Sequence, residues 1–157
     1  MPISGTSGPA FTFRSVMVFI DGGYLRSIIQ PSSVTEVDFT QLAAWLNHKV
    51  AGALIKGELI RAFYYDANVS AQDDPNRHRE LNSDFEIIKR YDYIQLRLGR
   101  LIRGREGWRQ KGVDVLLAID MITKAYKQQY EIAVMLAGDD DFVDVDSSLS
   151  ADFIRTF

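Results

Sequence analysis

Ala133-Val134-Met135-Leu136-Ala137-Gly138-Asp139-Asp140-Asp141-Phe142 is the stretch on which the reading of this chain turns. A short apolar run ends in a glycine and three consecutive carboxylates. That pattern predicts a buried strand that delivers acids to its C-terminal edge. In open α/β sheets, ligands bind outside the carboxyl ends of the strands. Three adjacent acids repel one another unless a positive charge sits among them. A divalent cation suits the position, because hard cations take several oxygen ligands. A solvated acidic turn explains the segment alone equally well.

A second run, Val16-Met17-Val18-Phe19-Ile20, ends in Asp21-Gly22-Gly23. β-Branched and aromatic residues over so short a length favour a strand. The glycines permit a tight turn or close approach of another group. One aspartate after a strand is often only a helix cap. Two such ends, far apart in sequence, point to one shared acidic site.

The third segment is Lys111-Gly112-Val113-Asp114-Val115-Leu116-Leu117-Ala118-Ile119-Asp120-Met121-Ile122. Val115, Leu116, Ile119 and Ile122 recur at helical spacing and predict an amphipathic helix. Asp114 falls in its first turn, where the helix dipole favours a carboxylate. Asp120 lies six residues on, off the face of Asp114, so Asp114 is the better candidate to join the other acids.

Phe19-Ile20-Asp21-Gly22, Lys111-Gly112-Val113-Asp114 and Ala137-Gly138-Asp139-Asp140-Asp141-Phe142, in that order, resemble the NYN domain group of PIN-like nucleases. The resemblance runs from about Ser15 to Val143. It implies a three-layer α/β/α Rossmann-like, mostly parallel sheet and a Mg2+ or Mn2+ site that cleaves RNA. The acids it carries over as catalytic and metal-binding are Asp21, Asp114, Asp139 and Asp141. Asp140, between two of these, points elsewhere if the segment is extended. Two positions depart from the usual pattern. Tyr24 stands where the first motif often has Asn, and Ala137 where the last usually has Ser.

Composition fits this frame. The chain has 157 residues, 46% hydrophobic and 25% charged, enough for one ordinary globular core. There is no cysteine, which excludes disulfides, thiolate zinc sites and cysteine nucleophiles and fits a cytoplasmic protein. No apolar run approaches bilayer-spanning length. Residues 1–14 read as a flexible arm without the regions of a signal peptide. Residues 15–143 read as the domain, and 144–157 as an atypical tail too short for both a helix and an edge strand. An uncovered sheet edge invites association, so a homodimer is expected.

The net charge is −3, but Arg77 to Lys111 holds ten Lys or Arg against five acids, leaving +5 there and −8 elsewhere. Phosphate backbones bind to such basic surface. Arg97, Arg100, Arg103, Arg105, Arg109 and Lys111 are the candidate contacts, with Trp108 able to stack on an unpaired base. Single-stranded or structured RNA such as tRNA is the expected partner. RNA over DNA comes from the resemblance alone.

The remaining pattern alternates: strand Ser15–Ile20, helix Gly23–Gln30, helix Asp38–Val50 with Asp38 as N-cap, strand Glu58–Tyr65, helix Asn76–Arg90. Strand Tyr93–Leu98 follows, then a short hairpin through Leu101–Arg103, helix Gly112–Gln128 and strand Glu131–Ala137. Asp66 reads as a cap for the segment after it rather than as part of the cleft. His48 and His78 fit no ligand or triad spacing. The reading is a metal-dependent endoribonuclease. A catalytically weak RNA-binding or regulatory module is the alternative. A phosphatase would carry Asp-x-Asp after its first strand, and the Gly-rich nucleotide loops are absent.

Overall fold

Val16 to Ile20 are all buried, because the strand they form pairs along both its edges and packs against apolar residues on both its faces. The computed structural model describes residues 12–29, 37–48, 55–138 and 152–156. Within them lie β1 (Thr12–Asp21), α1 (Gly22–Ile29), α2 (Phe39–His48), β2 (Ile55–Asn68) and α3 (Pro75–Ile88). After these come β3 (Ile94–Gly104), β4 (Gly107–Lys111), α4 (Val113–Tyr126), β5 (Ile132–Leu136) and β6 (Asp152–Thr156).

The fold is α/β, on a mixed and mostly parallel sheet ordered β4-β3-β2-β1-β5-β6. All neighbouring strands run parallel except β3 and β4. Successive residues of a strand point to opposite faces, and β1 divides accordingly. Val16, Val18 and Ile20 pack with Leu25 of α1, Phe39 and Leu46 of α2, and Phe85 and Ile88 of α3. Met17 and Phe19 pack with Val113, Leu117 and Met121 of α4.

Helix starts follow local chemistry. The Asp38 carboxylate accepts the N–H groups of Thr40 and Gln41 at 2.9 and 3.1 Å, the expected cap of α2. Asp74 does the same for Arg77 at 2.9 Å, with Pro75 in the first turn of α3, where a missing N–H costs nothing.

Two sequence expectations are corrected. The hairpin does not turn through Leu101–Arg103. β3 continues to Gly104, and the chain reverses at Arg105–Glu106, where Gly107 takes φ +115°. Gly99 misled, since it looks like a breaker. It lies inside the strand, where an added Cβ would come 2.8 Å from the Lys111 carbonyl oxygen. The apolar stripe expected to bury α4 faces outward: Val115, Ile119 and Ile122 are exposed, while Val113, Leu117 and Met121 are buried. Within the tail, expected to be too short for both a helix and an edge strand, the described residues form a strand. β6 pairs with β5 from Ile132↔Asp152 to Leu136↔Thr156.

From β1 the chain moves outward to β2 and β3, then returns through α4 to β5 on the other side of β1. The strand order therefore reverses between β1 and β5, and the carboxyl ends there flank a crevice suited to a ligand.

Candidate active site

Asp21 is the last residue of β1, and α1 begins at the next residue. Its Oδ1 accepts the Tyr24 N–H at 3.1 Å, so the carboxylate caps the helix that follows it. The residue is only 8% exposed. Burial raises its pKa above the ordinary carboxylate value; the Tyr24 and Gly23 N–H groups oppose the shift, and the nearby Asp66 adds to it. The Gly22-Gly23 pair is there for room. A Cβ at Gly22 would sit 2.5 Å from the Tyr64 ring, and one at Gly23 would sit 2.9 Å from Gln110 Nε2.

Asp66 lies within β2, fully buried. Both of its oxygens accept from the Arg26 guanidinium, through Nη1 to Oδ2 and through Nη2 to Oδ1, the latter at 2.7 Å. Gln110 of β4 reaches Oδ1 at 3.4 Å and the Ala67 N–H donates to it at 2.7 Å. Burial, with Asp66 nearby, pushes the Tyr64 hydroxyl pKa up. Asp66 is thus more than the cap that the sequence suggested. With Arg26, Tyr64 and Gln110 it forms a polar cluster beside Asp21. The available signal was a carboxylate two residues after Tyr64, on the same strand face, at the end of an apolar run.

Asp114 is exposed in the first turn of α4, after Gly112 at φ +84°. Asp139, Asp140 and Asp141 lie outside the described residues. Just beyond β5 lie Ala137, which is buried, and Gly138. A Cβ on Gly138 would come 2.3 Å from the Tyr24 ring. Tyr24, the departure in the first motif, therefore packs directly on the glycine of the last and couples the two. Among the described residues, no group of three or more His, Cys, Asp or Glu is placed to hold a metal ion. The donor chemistry still fits one: a desolvated carboxylate at the crevice is stabilised by an adjacent cation, and oxygen ligands suit Mg2+ and Mn2+.

Asp120 sits on the other side of the sheet from Asp66. It accepts from Arg97 Nε at 2.8 Å, Arg97 Nη2 at 3.1 Å and the Tyr65 hydroxyl at 3.0 Å. Arg97 is therefore occupied within the fold. Arg100, Arg103, Arg105, Arg109 and Lys111 are exposed on the β3–β4 hairpin. Arg100 faces Lys111 directly, and Arg103 faces Trp108. The Arg77 guanidinium lies 5.8 Å from the centre of the Trp108 ring. Tyr91 and Tyr93 pack on the core. His78 uses both ring nitrogens internally, with the Val69 carbonyl at 2.7 Å and Asn82 at 2.9 Å.

The NYN domain family model matches residues 15–155, so the chain belongs to the NYN domain family. The fold is similar to the crystal structure of a protein of unknown function from Vibrio parahaemolyticus. The TM-score is 0.58 at 16% identity, over 90% of this chain and 80% of that one. No curated protein matches the chain.

Proposed function

We propose that this NYN domain is a divalent-metal-dependent endoribonuclease on a three-layer, Rossmann-like arrangement. The observation that carries the reading is Asp21: a desolvated carboxylate with a raised pKa, at the strand end where the sheet order reverses, capping Tyr24, whose ring packs on the glycine that leads into Asp139 and Asp141. Helices α1 to α3 on one core cluster and α4 on the other support the layering.

Asp21, Asp114, Asp139 and Asp141 would hold Mg2+ or Mn2+. Such an ion would supply Lewis acidity and would lower the pKa of a bound water. The chain's own groups do the rest. Asp21, fixed by the Tyr24 N–H, offers an oriented oxygen. Burial around it excludes competing water and strengthens its electrostatics. The hairpin cations hold the RNA backbone; Arg100 facing Lys111 is a like-charge pair that an anion relieves. Water attack on phosphorus with cleavage of the P–O3′ bond, the leaving 3′-oxygen taking up a proton, would give a 3′-hydroxyl and a 5′-phosphate and needs no 2′-hydroxyl attack.

The test is cleavage of labelled single-stranded RNA and tRNA with Mn2+, Mg2+ or EDTA, using wild type and Asp139→Asn. Metal-dependent products with 5′-phosphate ends, lost in the variant, support the proposal. Salt-sensitive RNA binding without cleavage at any metal concentration moves the reading to an RNA-binding module. The Tyr24 ring against Gly138, where the family often has an amide, is the observation that favours this second reading.

A further inference from the structure

A cavity of about 470 Å³ opens between α1, the start of α2 and α3, beside the Asp21 crevice. Its size falls within the roughly 300–1,000 Å³ typical of small-molecule sites. Leu25, Ile29, Phe39, Phe85 and Ile87 make apolar walls, and Tyr64, Asp66 and Arg26 close one end. That end adjoins the Asp21 crevice, because the Tyr64 ring packs on Gly22, the residue that follows Asp21.

Arg26 is held rather than free. The fully buried Asp66 grips the guanidinium through two of its N–H groups, yet about half of the Arg26 side chain stays exposed. A guanidinium carries five N–H donors, so this one keeps donors in a fixed plane for a second anion. Carboxylate and phosphate both match a pre-oriented fork, and of the two the nuclease reading supplies phosphate. Asp84 of α3 also lines the cavity, and its carboxylate repels a phosphate placed anywhere but at the guanidinium. The cavity thus sorts its occupant: the anionic part at Arg26, the flat and largely apolar part against Phe39, Phe85 and Ile87.

We propose that this cavity is a nucleotide subsite, taking the base of the nucleotide next to the scissile bond while Arg26 binds that nucleotide's phosphate. Asp66 is the positioning residue that fixes Arg26. The inference rests on the nuclease reading for its place in the reaction, and it is tested by binding without metal or cleavage.

The measurement is a calorimetric titration of the full chain in EDTA with adenosine and uridine 5′-monophosphates, ribose 5-phosphate, and the two nucleosides. The monophosphates are expected to bind at least tenfold more tightly than either kind of fragment. Ile87→Trp, at a wall position 48% exposed and so open to a larger ring, should weaken monophosphate binding at least tenfold. It should leave ribose 5-phosphate binding unchanged. Arg26→Lys, which keeps the charge beside Asp66 and loses the fork, should weaken monophosphates and ribose 5-phosphate together. Monophosphates that bind no better than ribose 5-phosphate, or that ignore Ile87→Trp in a variant with wild-type melting behaviour, overturn the proposal. Absent monophosphate binding with intact metal-dependent cleavage sinks the subsite alone. Absent cleavage with intact monophosphate binding sinks the nuclease reading alone.

Discussion

Asp21 carries a cost to the fold that a merely structural residue would not. Its pKa is raised in the folded chain, so the folded state holds its proton more tightly than the unfolded state does. Stability then falls as pH rises from the ordinary carboxylate value through the raised one. Asp21→Asn keeps an oxygen for the Tyr24 N–H and removes the titration. The variant should melt higher than wild type at pH 7, and the gain should vanish below the ordinary carboxylate value. Melting curves from pH 3 to 8 check this; a variant that melts lower at pH 7 contradicts it.

Gly138 and Tyr24 make a second residue-scale prediction. Gly138→Ala forces a methyl into the Tyr24 ring and should destabilise by about 1–3 kcal/mol, as overpacking does. In Tyr24→Ala the ring is gone, so adding Gly138→Ala should then cost far less, a non-additivity readable by urea melts. Asp21 was legible in the sequence because its strand, its glycines and its acid lie together. Asp66 was not, because its partner Arg26 is 40 residues away and only the folded sheet brings them together.

At the scale of elements, α4 marks where periodicity runs out. Its sequence is apolar on nearly every face, and i, i+3, i+4 spacing fits both the exposed Val115–Ile119–Ile122 stripe and the buried Val113–Leu117–Met121 stripe. Only packing against Phe63 and Tyr65 of the sheet chooses between them. The basic run was legible as composition, yet its members divide by role. Arg97 is paired to a nearly buried Asp120. Arg97→Ala should therefore lower stability by about 1–3 kcal/mol and leave the salt slope of RNA binding unchanged. Arg100 behaves in the opposite way. Arg100→Glu replaces a like-charge pair with an opposite one across from Lys111, so stability should rise by roughly 0.2–1 kcal/mol. RNA affinity should fall, and the slope of log K against log salt should shrink by about 0.7 for each phosphate no longer neutralised. Melting and filter-binding series on the same two variants separate these roles. A salt slope changed by Arg97→Ala and untouched by Arg100→Glu would contradict the assignment.

For the whole molecule, alternation of strands and helices announced an α/β sheet, but strand order is not written in any local segment. The reversal between β1 and β5 arises from the long return through α4. It makes the first motif and the last into neighbours: Ile20 pairs with Leu136, and Tyr24 covers Gly138. Asp114, in the first turn of α4, stands at the start of that return and is the member of the proposed acid set contributed by the middle motif. The central claim is that Asp21, a desolvated carboxylate at this reversal, serves RNA cleavage rather than the fold. The most direct measurement is single-turnover cleavage of labelled RNA in Mn2+ by wild type and Asp21→Asn, each preparation melted in parallel. The account predicts a variant at least as stable as wild type that cleaves about a hundredfold more slowly or worse. Equal cleavage by the two proteins would contradict it.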